Sequence, residues 1–75
     1  MTPEQIKNLI EQGLPGARAD VGSPDGTHFE AVVVHEGFAG RSVLERHRMV
    51  YDSLGERVGG DIHALSLRTI TPDEQ

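Results

Sequence analysis

Four histidines, His28, His35, His47 and His63, are the side chains of this 75-residue chain best suited to bind a transition metal or move a proton near neutral pH. Cysteine is absent, so the chain has no thiolate for a metal centre, a cluster or a covalent intermediate, and it can form no disulfide. The histidine spacing does not close a site. His28 and His35 lie seven apart on one extended run, which turns them to opposite faces, and no His-x-x-x-His pair occurs. His47 falls on the apolar stripe of a helical segment, where an imidazole at the core edge hydrogen-bonds a carbonyl. His63 opens a strand on the face of Leu65 and Leu67, at the rim between apolar surface and solvent. From its position alone, both a ligand and a satisfied structural histidine suit it. Twelve Asp and Glu residues show no spacing that singles out an acid–base pair. Ser23, Ser42, Ser53 and Ser66 stand in no nucleophile elbow. The chain reads as a non-enzyme.

The elements that position these residues follow from local signals. Thr2-Pro3-Glu4-Gln5 supplies a cap, a proline in the first turn and a capping-box glutamine. Ile6, Leu9, Ile10 and Leu14 then recur at helical spacing until Gly13 and Pro15-Gly16 stop a helix over residues 3–13. Residues 17–21 alternate weakly and read as an edge strand, and Gly22 to Gly26 has turn chemistry. Residues 28–35 are the clearest strand, with Phe29, Ala31 and Val33 on one face and His28, Glu30, Val32 and Val34 on the other. Residues 36–40 connect to a helix over 43–58, capped by Ser42. Its apolar stripe runs through positions 43, 44, 47, 50, 51, 54 and 58, which turns His47 and Tyr51 inward and Arg46 and Arg48 outward. Gly55 weakens its end, so the helix stops early or breaks there, and Gly59-Gly60 closes it. Residues 62–70 alternate again until Thr71-Pro72 ends the strand, with the start of a further turn beyond. A helical crossover between strands 28–35 and 62–70 makes them parallel. The expected architecture is α+β, a three-stranded mixed sheet with helices on one face, forming a single domain over residues 1–75.

Charge and composition exclude several classes of function. Net charge is −5, and only residues 41–57, at +1, are not dominated by acid. That opposes a sequence-independent grip on nucleic acid, which rests on neutralising phosphates. The longest apolar run, Ala31 to Val34, is far short of the ~20 residues that span a bilayer. The N-terminal stretch has neither a basic nor an apolar segment of signal-peptide type, so the expected compartment is the cytoplasm.

Several strings line up in order with one family. Thr27-His28-Phe29 resembles the Ser/Thr-His-Phe of BolA-like proteins, and Phe38-Ala39-Gly40 resembles their Phe-x-Gly. Arg46-His47-Arg48-Met49-Val50-Tyr51 is similar to their Arg-His-Arg-x-Val-Tyr segment. Ile62-His63-Ala64-Leu65, followed by Thr69 and Thr71-Pro72, is similar to their Ile/Val-His-Ala-Leu run and Thr-x-Thr-Pro ending. The likeness runs from residue 3 to 74, and the order of elements agrees with the family's α-β-β-α-β, class II KH-like fold.

The resemblance implies a binding module that pairs with a monothiol glutaredoxin and shares a [2Fe–2S] cluster with it and with glutathione. Its setting would be cluster trafficking or iron homeostasis, with no cofactor on the isolated chain. His63, in the Ile/Val-His-Ala-Leu run, is the implied cluster ligand. A cysteine-free chain offers only imidazole or carboxylate, so sulfur must come from the glutaredoxin and glutathione. Many members carry a second Cys or His ligand in the loop that here spans residues 21–26, which has neither. His28, just after it, is the candidate second ligand, or else a strand-start residue bonding the turn. The expected partner surface takes in Arg46, Arg48, Phe38 and Gly40, the arginines being equally readable as solvated charge. The alternative is a nucleic-acid-binding transcriptional regulator working through Arg41, Arg46 and Arg48, as some bacterial members are described. Alone, the chain is expected to be a monomer or a weak homodimer without membrane contact.

Overall fold

The computed structural model describes residues 1–57, Ile62 and residues 64–75. Two helices and three strands follow in the order α1 (Pro3–Gly13), β1 (Arg18–Gly22), β2 (His28–Val34), α2 (Val43–Leu54) and β3 (Ala64–Ile70). Single 3-10 turns at Glu36–Phe38, Gly55–Arg57 and Pro72–Glu74 punctuate the chain. The sheet order is β1-β2-β3, with β1 antiparallel and β3 parallel to β2. This is the expected α+β architecture with a mixed sheet.

Both helices begin with reciprocal caps. The Gln5 N–H donates to Thr2 Oγ1 at 3.2 Å while the Thr2 N–H donates to Gln5 Oε1 at 2.8 Å. Ser42 and Glu45 repeat the arrangement at the start of α2, at 3.1 and 2.9 Å. Each box satisfies two of the N–H groups that a helix start leaves open. α2 takes the early end, at Leu54, where Gly55 adopts φ +63°, a left-handed value that glycine tolerates without a Cβ clash.

The helices cover one face of the sheet. Ala19, Phe29, Ala31 and Val33 turn toward them and are buried with Ile6, Ile10, Phe38, Val50, Leu54 and Ile62. The opposite face carries the exposed Arg18, Asp20, Glu30, Ser66 and Arg68. The two helices meet closely at Gly13, where a Cβ would stand 2.5 Å from Ser53 Cβ.

The stripe of α2 departs from expectation. Val50 and Leu54 are fully buried, but Val43 is 65 % exposed, Leu44 60 % and Tyr51 37 %. Arg46, expected outside, keeps only 12 % of its side chain exposed. The cause is the neighbour. Seating Ser53 against Gly13 of α1 rotates α2 so that 46, 50 and 54 form the inward line.

Candidate functional site

Two places in the molecule gather polar side chains that the sequence singled out. The first is the turn between β1 and β2. Asp25 Oδ1 accepts the backbone N–H groups of Thr27 and His28 at 2.9 and 2.8 Å, and Oδ2 lies 2.7 Å from His28 Nδ1. Ser23 Oγ accepts the Gly26 N–H and donates to the His28 carbonyl, and Gly26 takes φ +79°. This is Asx-turn chemistry tied twice to one histidine. The His28 N–H, then its ring, then the Thr27 N–H hold the Asp25 carboxyl well below the ordinary carboxylate range.

The His28 side chain is 65 % exposed. A carboxylate on Nδ1 selects the tautomer with its proton there, leaving the Nε2 lone pair for a ligand. In the parallel register His28 stands opposite Ala64, so this turn sits beside the entry to β3. His63, the residue before Ala64 and the implied first ligand, lies outside the described residues. Among the described residues no three His, Asp or Glu side chains gather as a metal site. One oriented imidazole without any thiolate fits a ligand lent to a cluster held jointly with a partner, and does not fit a closed site of this chain's own.

The second place is the junction of α2 with the end of β3. Arg46 Nη1 donates to the Thr69 carbonyl at 3.1 Å and to Glu74 Oε1 at 2.7 Å, while Nη2 reaches Glu74 Oε2 at 3.3 Å. Its Nε donates to the Arg41 carbonyl at 3.1 Å, and the guanidinium carbon lies 5.9 Å from the centre of the Phe38 ring. Arg46 draws the Glu74 carboxyl down to about 2, helped by the Thr71 N–H. Phe38 is fully buried and meets the His35 ring edge-on at 5.2 Å. Two of the four residues assigned to a partner surface are therefore relocated. Phe38 is a core residue because it plugs the space under α2, and Arg46 turns inward because Glu74 and Thr69 supply the acceptors its charge needs.

Gly40, at φ +74°, is an exposed turn glycine that offers only its backbone. Arg41 is exposed, donating to the Gly37 carbonyl at 3.3 Å and standing 3.8 Å from Glu45. Arg48 is exposed and has no ion-pair partner among the described residues. Sequence reasoning missed Glu74, 28 positions from Arg46. The signal was present: Thr71-Pro72-Asp73-Glu74 repeats the cap pattern of Thr2-Pro3-Glu4-Gln5, and its reciprocal box places the Glu74 carboxylate. The spacing set His35 apart from His28 and gave it no role of its own. Its Nδ1 is buried without a hydrogen-bond partner among the described residues.

Comparison with known proteins bears on the family and the fold. Residues 11–74 match the family model described as BolA-like protein. The chain is similar to human BolA-like protein 1, at 40 % identity over 72 residues, which is 96 % of this chain and 50 % of the relative. It is also similar to the Escherichia coli DNA-binding transcriptional regulator BolA, at 40 % identity over 57 residues, 76 % of this chain and 54 % of that protein. The chain thus spans about half the length of the curated relatives it matches. The solved structure of a bolA protein homologue from Coxiella burnetii superposes with a TM-score of 0.89 at 51 % identity, covering 99 % of this chain and 95 % of that one. No helix among the described residues is long and apolar enough to cross a membrane.

Proposed function

Because this chain belongs to the BolA-like family, we propose that it is a non-enzymatic module that pairs with a monothiol glutaredoxin and shares a [2Fe–2S] cluster with it, as cargo in cluster trafficking or iron homeostasis. The observation that carries this reading is the donor set. The chain has no sulfur nucleophile, yet it presents an exposed imidazole whose tautomer a carboxylate fixes, at the sheet end from which β3 departs. His63 and His28 are the proposed ligands and Asp25 orients His28. The glutaredoxin and glutathione supply thiolate, and the cluster, when bound, supplies two irons whose remaining positions imidazole nitrogen can take.

The test is visible circular dichroism of a glutathione-ligated glutaredoxin [2Fe–2S] homodimer titrated with this chain. A spectrum that changes and saturates near one equivalent, that stays unchanged with His63→Ala and that changes less with Asp25→Asn, is the expected outcome. An unchanged spectrum with the native chain removes cluster sharing with that partner.

A second reading, a nucleic-acid-binding regulator, draws on the printed name of the Escherichia coli relative. With Arg46 committed to Glu74, only Arg41 and Arg48 of the three expected arginines stand clear to meet phosphates. Two phosphate contacts predict a shallow slope, about −2 in log affinity against log salt. A much steeper slope, flattened by Arg41→Ala and Arg48→Ala together, would favour this reading over the first.

A further inference from the structure

The turn between β1 and β2 holds a chemical hazard as well as a histidine. Asp25-Gly26 is the one Asp-Gly step in the chain, and no Asn-Gly step occurs. In such a step the glycine nitrogen can attack the side-chain carboxyl carbon before it, because no Cβ hinders the approach. A bond from Gly26 N to Asp25 Cγ closes a succinimide ring. One water leaves, made of the hydroxyl of the carboxyl in its acid form and the Gly26 amide proton. Hydrolysis returns a water to either carbonyl. At one carbonyl it restores aspartate, and at the other it leaves the main chain running through the β-carboxyl, as isoaspartate. Nothing is oxidised or reduced, and water is the only co-reactant.

Packing does not shield this step. The Asp25 side chain is 48 % exposed, and a Cβ built on Gly26 would meet nothing within 4 Å. Restraint comes instead from hydrogen bonds at both reacting groups. The Gly26 N–H, whose proton must leave, donates to Ser23 Oγ at 2.7 Å. That hydroxyl spends its own proton on the His28 carbonyl, so it turns a lone pair toward Gly26. At the carboxyl, Oδ1 accepts the Thr27 and His28 N–H groups at 2.9 and 2.8 Å, and the His28 ring holds Oδ2 at 2.7 Å. Attack makes Cγ tetrahedral and lifts both oxygens out of the plane in which donors prefer to meet them. Ring closure therefore has to break bonds on each side of the new link.

We infer that Asp25-Gly26 is a latent isomerisation site, at which Ser23 and His28 keep the two reacting groups from joining in the folded chain. This gives Ser23 a task beyond shaping the turn, and it holds whether or not His28 meets a cluster. The lesion is local. An isoaspartyl link adds a methylene to the main chain and shortens the arm that bears the free carboxylate. The acceptor shared by the Thr27 and His28 N–H groups is then lost, and so is the partner of the His28 ring. The buried Phe29, Ala31 and Val33 lie beyond the turn and keep their packing.

Incubating the full chain for weeks in one neutral buffer, with and without urea, tests this. Peptide mapping with electron-transfer fragmentation then tells isoaspartate from aspartate, which have the same mass. Isoaspartate at residue 25 should accumulate at least about tenfold more slowly in the folded chain than in the urea-unfolded one. Ser23→Ala and His28→Ala, each shown to be folded by far-UV circular dichroism, should each speed the reaction by up to about tenfold. If one variant does not fold, the other carries the comparison. The isoaspartyl product, separated by chromatography, should exchange its Thr27 and His28 amide protons faster while keeping the native urea midpoint. Equal rates in the folded and unfolded native chain overturn the inference. Folded variants that isomerise no faster than the native chain overturn it too, and assign the protection to the stiffness of the fold alone.

Discussion

α1 and α2 are nearly equal in length, 11 and 12 residues, and start with the same reciprocal cap, yet they spend their apolar residues differently. α1 turns Ile6 and Ile10 fully into the core and ends where Gly13 lets α2 come close. α2 contributes Val50 and Leu54, takes in a charged residue, and leaves Val43, Leu44 and Tyr51 on the surface. The difference teaches which helix is scaffold and which is display. A three-stranded sheet has room to bury one helix face twice, and a second apolar flank on α2 is surplus to folding.

Mutation can break or sharpen this contrast. The largest effect is expected for Ile10→Ala, which should cost about 2–5 kcal/mol in urea unfolding, with Leu54→Ala alongside it because both are fully buried. Equal small losses in both would mean that neither helix carries the core. Gly13→Ala comes next. Its Cβ meets Ser53 Cβ at 2.5 Å and Ser53 Cα at 2.9 Å, so the helices must part, at about 1–3 kcal/mol. Ser53→Gly in the same chain should recover part of that loss.

A smaller effect separates the two helices by pH. The Glu74 carboxyl, drawn to about 2 by Arg46 from an ordinary 4.5, stabilises the fold above the ordinary value. That contribution is lost as pH falls from about 4.5 through about 2. Glu74→Gln should flatten this part of the stability–pH curve, and a parallel curve in the variant would show that the pair contributes nothing. The smallest effect is expected for Leu44→Ser, within about 0.5 kcal/mol in unfolding. A large loss there would return Leu44 to the core and remove the display role of α2.

How far the sequence spoke depended on whether a signal was local. The caps at Thr2 and Ser42, the turn around Asp25 and the alternation of residues 28–34 are written within a few positions, and the strand order followed from them. The phase of α2 was not written there. Val43, Leu44, His47 and Tyr51 form as good a stripe as Met49, Val50 and Leu54, and only the seat of Ser53 on Gly13 decides between them. Arg46 was misplaced for the same reason, since its acceptors lie on Thr69 and Glu74. At the candidate site, His28 was legible as a strand-start histidine beside the loop. Its bond to Asp25 required the turn to be built, and His63 lies outside the described residues.

The turn at Asp25 has one more consequence. Its carboxylate gathers two backbone N–H groups and a ring nitrogen, and Ser23 closes the loop from the other side. An imidazole held in this way has already given up its rotational freedom before any ligand arrives. A partner meeting His28 therefore does not have to order it, and the part of the association penalty that comes from freezing a loop and a side chain is met during folding. Loosening the turn should show itself first as a slower, less selective encounter, with the stability of the domain almost unchanged.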